Sequence, residues 1–537
     1  MKIKKNTLIF IAIIILGFVL RFYRLGSLPS LNADEAAIGY NVFSLIETGK
    51  DEHGNVWPLQ FQSFNDYKPG GFFYVVLPFV KLFGLNVWAV RIPGALLGGL
   101  TVVVLYFFVK KVFLDQKLAL IASFLLAISP WHIHFSRGAW EVNAASFMIL
   151  VGLWLLFVGF EKSKYLYGAM IFFVFSLYTY HAARLVVPLL VLMTMWVYRS
   201  RLRAEIIFPG ILGFVLLLPL SYLVFFGGGL ERASGVGILA DVGPINRVNE
   251  QRGAYRDFNS VWPKLVHNRF VNYGLLFLEN WGKHYDGEFL FNSGDEIQRN
   301  KVPETGLLYL MDLVFLCLGA VALVRKWGKL EKMIIGWILI APLAAALTFQ
   351  SPHSLRAHNL VIPLVIISGM GFKMILEVLE KRKLVFGYVI LGVVMAWSVT
   401  RYLIMYYYHM NKEYSYSSQY GIEELVDYVT KTQERYDKII VTDRYDQPYI
   451  LFLFYMKYQP EKFQQESSGL TERDIYGFST VRKFGKYEFK TINFDQDRPN
   501  YPNSLIVGTK EEIPDEANIV REILFPNGEV VFRIVAN

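Results

Sequence analysis

Five polar clusters interrupt a strongly apolar chain: Asp34-Glu35, Tyr67-Lys68-Pro69, Ser136-Arg137 with Glu141, His181 with Arg184, and His353 to His358, which contains Arg356. Carboxylates, imidazoles and guanidiniums are costly in hydrocarbon, so a membrane chain that gathers them at one face is building a reaction or transport site there. A carboxylate can take a proton from a hydroxyl within hydrogen-bond reach, and fixed cations can stabilise negative charge as it develops on a phosphate. Singly, each group has a plainer reading. Asp34-Glu35 could be a solvated loop pair or the N-cap of a helix beginning at Ala36, and the cations could be interface anchors. Together, four basic sites and several carboxylates suit one task better: holding a phosphate-bearing lipid beside a base. Glu141 follows Arg137 by four residues, which on a helix puts both on one face. It would orient that guanidinium, bind hydroxyls, or form a structural ion pair.

The elements that must position these groups are membrane helices. Of 537 residues, 54% are hydrophobic, 16% aromatic and 18% charged, with a mean hydropathy of +0.35. That is too apolar for a soluble domain, and the apolar runs recur near the bilayer-spanning length of about 20 residues. The formal charge of +9 sits largely in short breaks between those runs, as membrane topology requires, and no basic patch with interleaved aromatics points to nucleic acid. Cys317 stands alone inside an apolar run, so neither an intrachain disulfide nor a cysteine metal cluster is expected. His181, His353 and His358 lack tight ligand spacing, apart from the two-residue step of His132 and His134. No cofactor is therefore expected, a divalent metal being the alternative.

We place eleven spans, at 7–22, 87–109, 118–135, 142–160, 165–180, 184–198, 206–226, 306–324, 333–349, 359–379 and 384–407. The N-terminus has signal-peptide polarity without a small-residue cleavage site, so it reads as an uncleaved first helix. Basic breaks at Lys110-Lys111, Lys162/Lys164, Arg199/Arg201/Arg203, Arg325-Lys326 and Lys381-Arg382-Lys383 mark the inside. The N-terminus is then cytoplasmic and the C-terminus outside the cell membrane. Residues 72–85, with Pro78 and Lys81, read as an interfacial helix rather than a span. Two external loops remain: 24–86, and 227–305, which opens with Gly227-Gly228-Gly229 and holds an amphipathic stretch from Trp262 to Trp281. From 409 to 537 the composition is soluble. A helix (Ile422 to Lys431), a strand (Lys438 to Thr442), a helix (Pro448 to Tyr458) and strands near Ser504 to Gly508 and Val530 to Val535 suggest a small α/β domain.

The chain resembles the GT-C class of membrane glycosyltransferases, in the branch that contains protein O-mannosyltransferases and the aminoarabinose transferase that modifies lipid A. The carriers are Asp34-Glu35 in the first external loop, Tyr67-Lys68-Pro69 later in it, Arg91-Ile92-Pro93 entering the second span, the segment Ser129 to Arg137, and Tyr178 to Arg184. Phe289 to Asp295, with Arg299, is similar to an external-loop signature of bacterial members. Gly70-Gly71 after Lys68-Pro69 departs from the usual double proline, which bears on the shape of that loop. The resemblance implies a GT-C-like domain over 1–408, with an outer cavity between the first loop and the bundle. It also implies sugar transfer, with inversion, from a polyprenyl-phosphate-linked donor to a hydroxyl of a lipid, protein or cell-wall polymer outside the cytoplasm. Asp34 matches the family's catalytic acid position and would be the general base. Lys68 would contact the donor phosphate, with Arg137, Arg184 and Arg356 as further cations. Glu35, Tyr67, Glu141, His181, His353 and Asp295 would bind sugar or acceptor, or support the site.

A transporter or flippase for lipid-linked sugar is the main rival. Transporters carry internal repeats and charges near mid-membrane. Here the span interiors are nearly free of charge and the polar groups gather at span ends, which favours an interfacial enzyme.

Overall fold

The computed structural model describes residues 5–64, 66–202, 204–226, 235–257, 260–467, 471–473 and 479–537. The glycine run at 227–229 lies outside them. Contacts divide the chain into two compact units, one of residues 1–21, 97–136 and 141–402, the other of 22–96, 137–140 and 403–537.

Each of the eleven apolar runs carries helix. Among the described residues, six helices are long and apolar enough to cross a membrane: Lys5–Phe22, Val87–Phe113, Glu141–Gly159, Ala204–Phe226, His358–Lys381 and Val385–Glu413. A seventh run, expected as one span over 118–135, is a pair, Gln116–Ile128 and Pro130–Ser136, bent by 59°. The cause is local. Proline cannot donate a backbone hydrogen bond, and it drives the residue before it out of the helical region. Ser129 is accordingly extended, at φ −60° and ψ 124°. The 333–349 run is also interrupted at Pro342, leaving Lys329–Ile340 and Leu343–Ala346, but Ala341 before it keeps helical dihedrals (φ −55°, ψ −43°).

Within the first unit, Arg21 is fully buried. Its guanidinium donates to the carbonyls of Gly17 (2.8 Å), Ala127 (3.1 Å) and Leu126 (3.2 Å) and meets His132 Nδ1 at 2.8 Å. A buried charge is tolerable only when so satisfied. Close approach here requires a glycine: a Cβ on Gly98 would lie 2.3 Å from Ser136 Oγ.

The second unit combines the first loop with the C-terminal segment. Its first loop contains helix Ala33–Thr48, strands β1 (Gln60–Ser63) and β2 (Asp66–Pro69), and helix Gly71–Phe83 with Pro78 inside it. The C-terminal segment holds β3 (Lys438–Thr442), a short pair β4 (Thr471–Arg473) and β5 (Ser479–Val481), then β6 (Lys483–Phe484), β7 (Tyr487–Lys490), β8 (Ser504–Gly508), β9 (Ile519–Leu524) and β10 (Val530–Ala536). Six strands form one sheet in the order β6-β7-β3-β8-β10-β9, parallel across β7, β3 and β8 and antiparallel toward both edges. Ile440, Ile506, Ile513 and Val535 centre its core. Helix Pro448–Met456 is buried from Pro448 to Phe454, as befits a helix that is apolar all round. It packs on Ala33–Thr48 so closely that a Cβ on Gly39 would come within 2.6 Å of the Phe454 ring. Composition alone separates 409–537 as a domain, whereas contacts group it with the first loop.

Candidate active site

The local structure around Asp34 begins with Asn32. Its Oδ1 accepts from the Glu35 amide (3.1 Å), and Glu35 Oε2 accepts in return from the Asn32 amide (3.4 Å). This reciprocal capping box starts the helix at Ala33. The plainer alternative, in which Asp34-Glu35 caps a helix that begins at Ala36, does not form, because Asn32 is the cap. Asp34 instead lies in the first turn, where the helix dipole favours a carboxylate.

Lys68 comes to Asp34 from β2. In the register of the hairpin Lys68 opposes Phe61 and Tyr67 opposes Gln62, and Phe61 is fixed by stacking on Phe73 at 3.9 Å between ring centres. Lys68 Nζ donates to Asp34 Oδ1 at 2.6 Å, with 11% of the lysine side chain and 24% of the aspartate side chain exposed. The neighbouring Tyr67 is half-buried.

Beneath this pair lies a dry ionic clasp. Glu35 is 1% exposed and Arg91 fully buried. Arg91 Nε donates to Glu35 Oε1 (2.8 Å) and Nη2 to Oε2 (2.6 Å), the bidentate geometry of a strong charge-assisted pair. The remaining donors of Arg91 reach the carbonyls of Leu25, Pro29 and Ser30, and Glu35 Oε1 also accepts from the Ala139 amide at 2.9 Å. One arginine thus ties the loop before the helix to the carboxylate beside Asp34. The C-terminal segment adds a further tie. Gln419 Oε1 accepts from the Ala33 amide at 2.6 Å while its Nε2 donates to the Asp446 carbonyl at 2.5 Å.

Arg137 belongs to the same unit. It is fully buried, donates to the Leu28 carbonyl at 3.4 Å, and lies about equally over the rings of Tyr406 (5.0 Å) and Tyr407 (5.1 Å). Arg137 is not on a helix with Glu141, because Pro130–Ser136 ends just before it and Glu141–Gly159 starts after it. The shared-face argument for the two is corrected accordingly.

Glu141, His181, Arg184, Asp295, His353 and Arg356 fall in the first unit. Glu141 opens its helix and is buried, and His181 is half-buried in the turn before Ala183–Val197. Arg184 Nε donates to the Leu177 carbonyl, and Arg356 Nη1 to Thr348 Oγ1 at 2.7 Å. Asp295 is buried in a network: its Oδ2 accepts from the Ser354 amide (2.6 Å) and hydroxyl (2.7 Å), with His353 Nδ1 at 3.6 Å. His353 in turn donates its amide to His284 Nε2 (3.2 Å), whose Nδ1 lies 2.8 Å from the Asn280 carbonyl. No three His, Cys, Asp or Glu side chains converge as a metal site would need among the described residues.

Burial holds the His284 imidazole down to about 4. The unfolded chain, with an ordinary histidine near 6.5, binds this proton over the intervening range and the folded protein does not. Stability from neutral His284 is therefore complete above about pH 6.5 and is lost as pH falls toward 4, by roughly 3 kcal/mol in all. Melting in detergent across that interval should drop for the native protein and much less for His284→Gln; equal slopes would remove His284 as the cause.

Of the residues that anchor the site, sequence reading missed Arg91 as a partner, although an arginine inside an apolar helix demands a carboxylate. Asn32 was legible as a cap and passed over. Gln419, whose contact with Ala33 is tertiary, carries no local signal.

The family model for dolichyl-phosphate-mannose-protein mannosyltransferase matches residues 67–224. YkcB of Bacillus subtilis (strain 168), named provisionally as a mannosyltransferase, is 33% identical over 93 residues, which is 17% of this chain and 13% of that protein. The chain therefore matches only about an eighth of that relative's length. Among solved structures, ArnT from Cupriavidus metallidurans bound to undecaprenyl phosphate aligns over 98% of this chain and 97% of its own, at 11% identity and a TM-score of 0.52. The Archaeoglobus fulgidus oligosaccharyltransferase tethered with an acceptor peptide aligns over 98% and 74%, at 12% identity and a TM-score of 0.52. Identities this low carry the fold alone. With residues 67–224 matching that family model and the fold shared with ArnT, the chain is a multi-pass helical membrane protein that resembles the protein O-mannosyltransferases and ArnT.

Proposed function

We propose that the protein is a membrane glycosyltransferase that moves a sugar from a polyprenyl-phosphate-linked donor to an acceptor hydroxyl at the outer face of the cell membrane. The observation that carries the reading is the Lys68–Asp34 contact of 2.6 Å on a partly exposed surface of the second unit. It joins a cation suited to a phosphate with a carboxylate suited to a proton. An ammonium has three donors, so Lys68 can keep Asp34 and still meet a headgroup oxygen. Asp34 then takes the acceptor's proton while the acceptor oxygen bonds to the anomeric carbon. The bond from that carbon to the phosphate oxygen breaks with its electrons, releasing polyprenyl phosphate, and one such displacement inverts the centre. No general acid is needed, because the leaving group is already a phosphate anion.

The reading extends to the eleven-span topology with a cytoplasmic N-terminus, to the 409–537 segment outside the membrane, and to a lipid, protein or wall-polymer acceptor. Arg137, Arg184 and Arg356 are further candidate phosphate contacts. Tyr67, Glu141, His181, His353 and Asp295 are candidates for sugar or acceptor binding. Glu35, with both oxygens committed to Arg91 and to backbone amides, is given the supporting role.

The test is turnover by the purified full-length protein with polyprenyl-phosphate sugars and hydroxyl acceptors, read as released polyprenyl phosphate and covalent product. Lys68→Ala should raise the KM for donor by about tenfold to a hundredfold, the worth of one hydrogen bond to a charged group. Flux of lipid-linked sugar across proteoliposomes without any covalent product would overturn the enzymatic reading in favour of transport.

A further inference from the structure

We propose that residues 261–283 form an interfacial anchor whose apolar side lies in the headgroup region of the phospholipid bilayer. The inference stands apart from the transferase reading. It starts from a helix whose polarity is reversed. Helix Arg269–Lys283 is bonded into the first unit through polar residues, with Asn272 and Asn280 buried. Asn272 Nδ2 donates to Gln251 Oε1 (3.3 Å), and Asn280 Nδ2 to the carbonyls of Ala346 (3.4 Å) and Thr348 (3.3 Å). Its apolar residues point outward. Val271, Leu275 and Leu278 recur at the spacing of one helical stripe and are exposed, and Phe270 at the helix start is 91% exposed. The short helix before it, Val261–Val266, continues the patch with Leu265 and with Trp262, which is 72% exposed. A helix with water on its free side shows the opposite pattern, and soluble proteins rarely leave such a patch bare.

Length, depth and charge all point to lipid as the occupant. The helix has 15 residues. At 1.5 Å each they rise about 22 Å, short of the roughly 30 Å of a hydrocarbon core. Its C-terminal end is pinned at membrane level. Trp281 Nε1 donates to the Leu339 carbonyl (3.0 Å) and the Tyr285 hydroxyl to the Ile338 carbonyl (2.9 Å), both in the last turn of Lys329–Ile340. Tryptophan and tyrosine are the residues that mark the boundary of a bilayer, where the ring is apolar and its tip polar. The Asn280 carbonyl also accepts from Ser351 Oγ and His284 Nε2 from the His353 amide, each at 3.2 Å, so this end is fixed to the fold rather than hinged. Lys264 and Arg269 are exposed at the junction of the two helices. There their stems can lie along acyl chains while their heads reach lipid phosphates. The polar helix Gly243–Gly253 covers the side that bears Asn272, with Arg252 Nε donating to the His267 carbonyl at 2.7 Å. In the topology proposed above, the leaflet concerned is the outer one.

The test uses the full-length protein in phospholipid nanodiscs, with Cys317→Ala removing the native thiol. A nitroxide is attached in turn at Phe270→Cys, at Leu278→Cys and at Glu250→Cys, the last on the exposed polar helix. Collision with oxygen, which partitions into lipid, is compared with collision with a water-soluble nickel chelate. The labels at 270 and 278 should lie about 5–10 Å below the lipid phosphates, and the label at 250 in water. Labels at 270 and 278 as open to the chelate as the one at 250 overturn the proposal. Labels at the depth of the bilayer centre also overturn it, in favour of a re-entrant segment. Labels shielded from both probes overturn it too, since a protein surface or a second copy would then cover the face. Should Leu278→Cys fail to elute as a folded species, Phe270→Cys decides alone, because that side chain is nearly free of packing.

Discussion

Asp34→Asn is expected to lower turnover by about 10²- to 10⁴-fold, the range supplied by a positioned general base, while donor affinity stays within about threefold. Asparagine keeps the shape of the side chain and an oxygen for Lys68, whose Nζ lies 2.6 Å from Asp34 Oδ1. It cannot accept the acceptor's proton. The loss should therefore appear in kcat and kcat/KM alike rather than in KM. The measurement is release of polyprenyl phosphate under single-turnover conditions. Release at the native rate would show that Asp34 does not serve as the base, whatever the rest of the site does.

The second large effect concerns stability. Arg91→Met should cost about 3–5 kcal/mol, the usual penalty for stranding one member of a buried ion pair. Glu35 would be left 1% exposed with only backbone amides and Asn32 against its charge, and the carbonyls of Leu25, Pro29 and Ser30 would lose their shared donor. Replacing both members, as in Glu35→Leu with Arg91→Met, should recover part of that loss, because two apolar groups strand no charge. Thermal melting in detergent measures both. A single Arg91→Met variant that melts within about 2 °C of the native protein would show that the clasp contributes little.

Much of this architecture is written locally. Hydropathy finds helix in each of the eleven apolar runs because a membrane helix is a local object, and the strands at 438–442 and 504–508 fall where alternation and β-branched residues place them. The bend at Ser129 was also local, since Pro130 is visible in the chain, but averaging hydropathy over a window smooths it away. Site geometry is less legible. Asp34 and Lys68 stand out by type and position, yet their meeting depends on a hairpin register that brings together residues 34 apart in sequence. The partner of Glu35 lies 56 residues away, and nothing in the composition near residue 419 announces a hydrogen bond to Ala33. Hydropathy also treats a soluble tail as separable, whereas contacts join it to the first loop.

That last junction constrains how relatives of this chain could be recombined. Gln419 holds the amide that precedes Asp34, and Gln464 Nε2 bonds Ser44 Oγ, Thr48 Oγ1 and the Asp51 carbonyl. A chimera that exchanged the tail alone would inherit a mismatched seam beside the helix that carries Asp34. Swaps of 22–96 together with 403–537 would travel as one cassette.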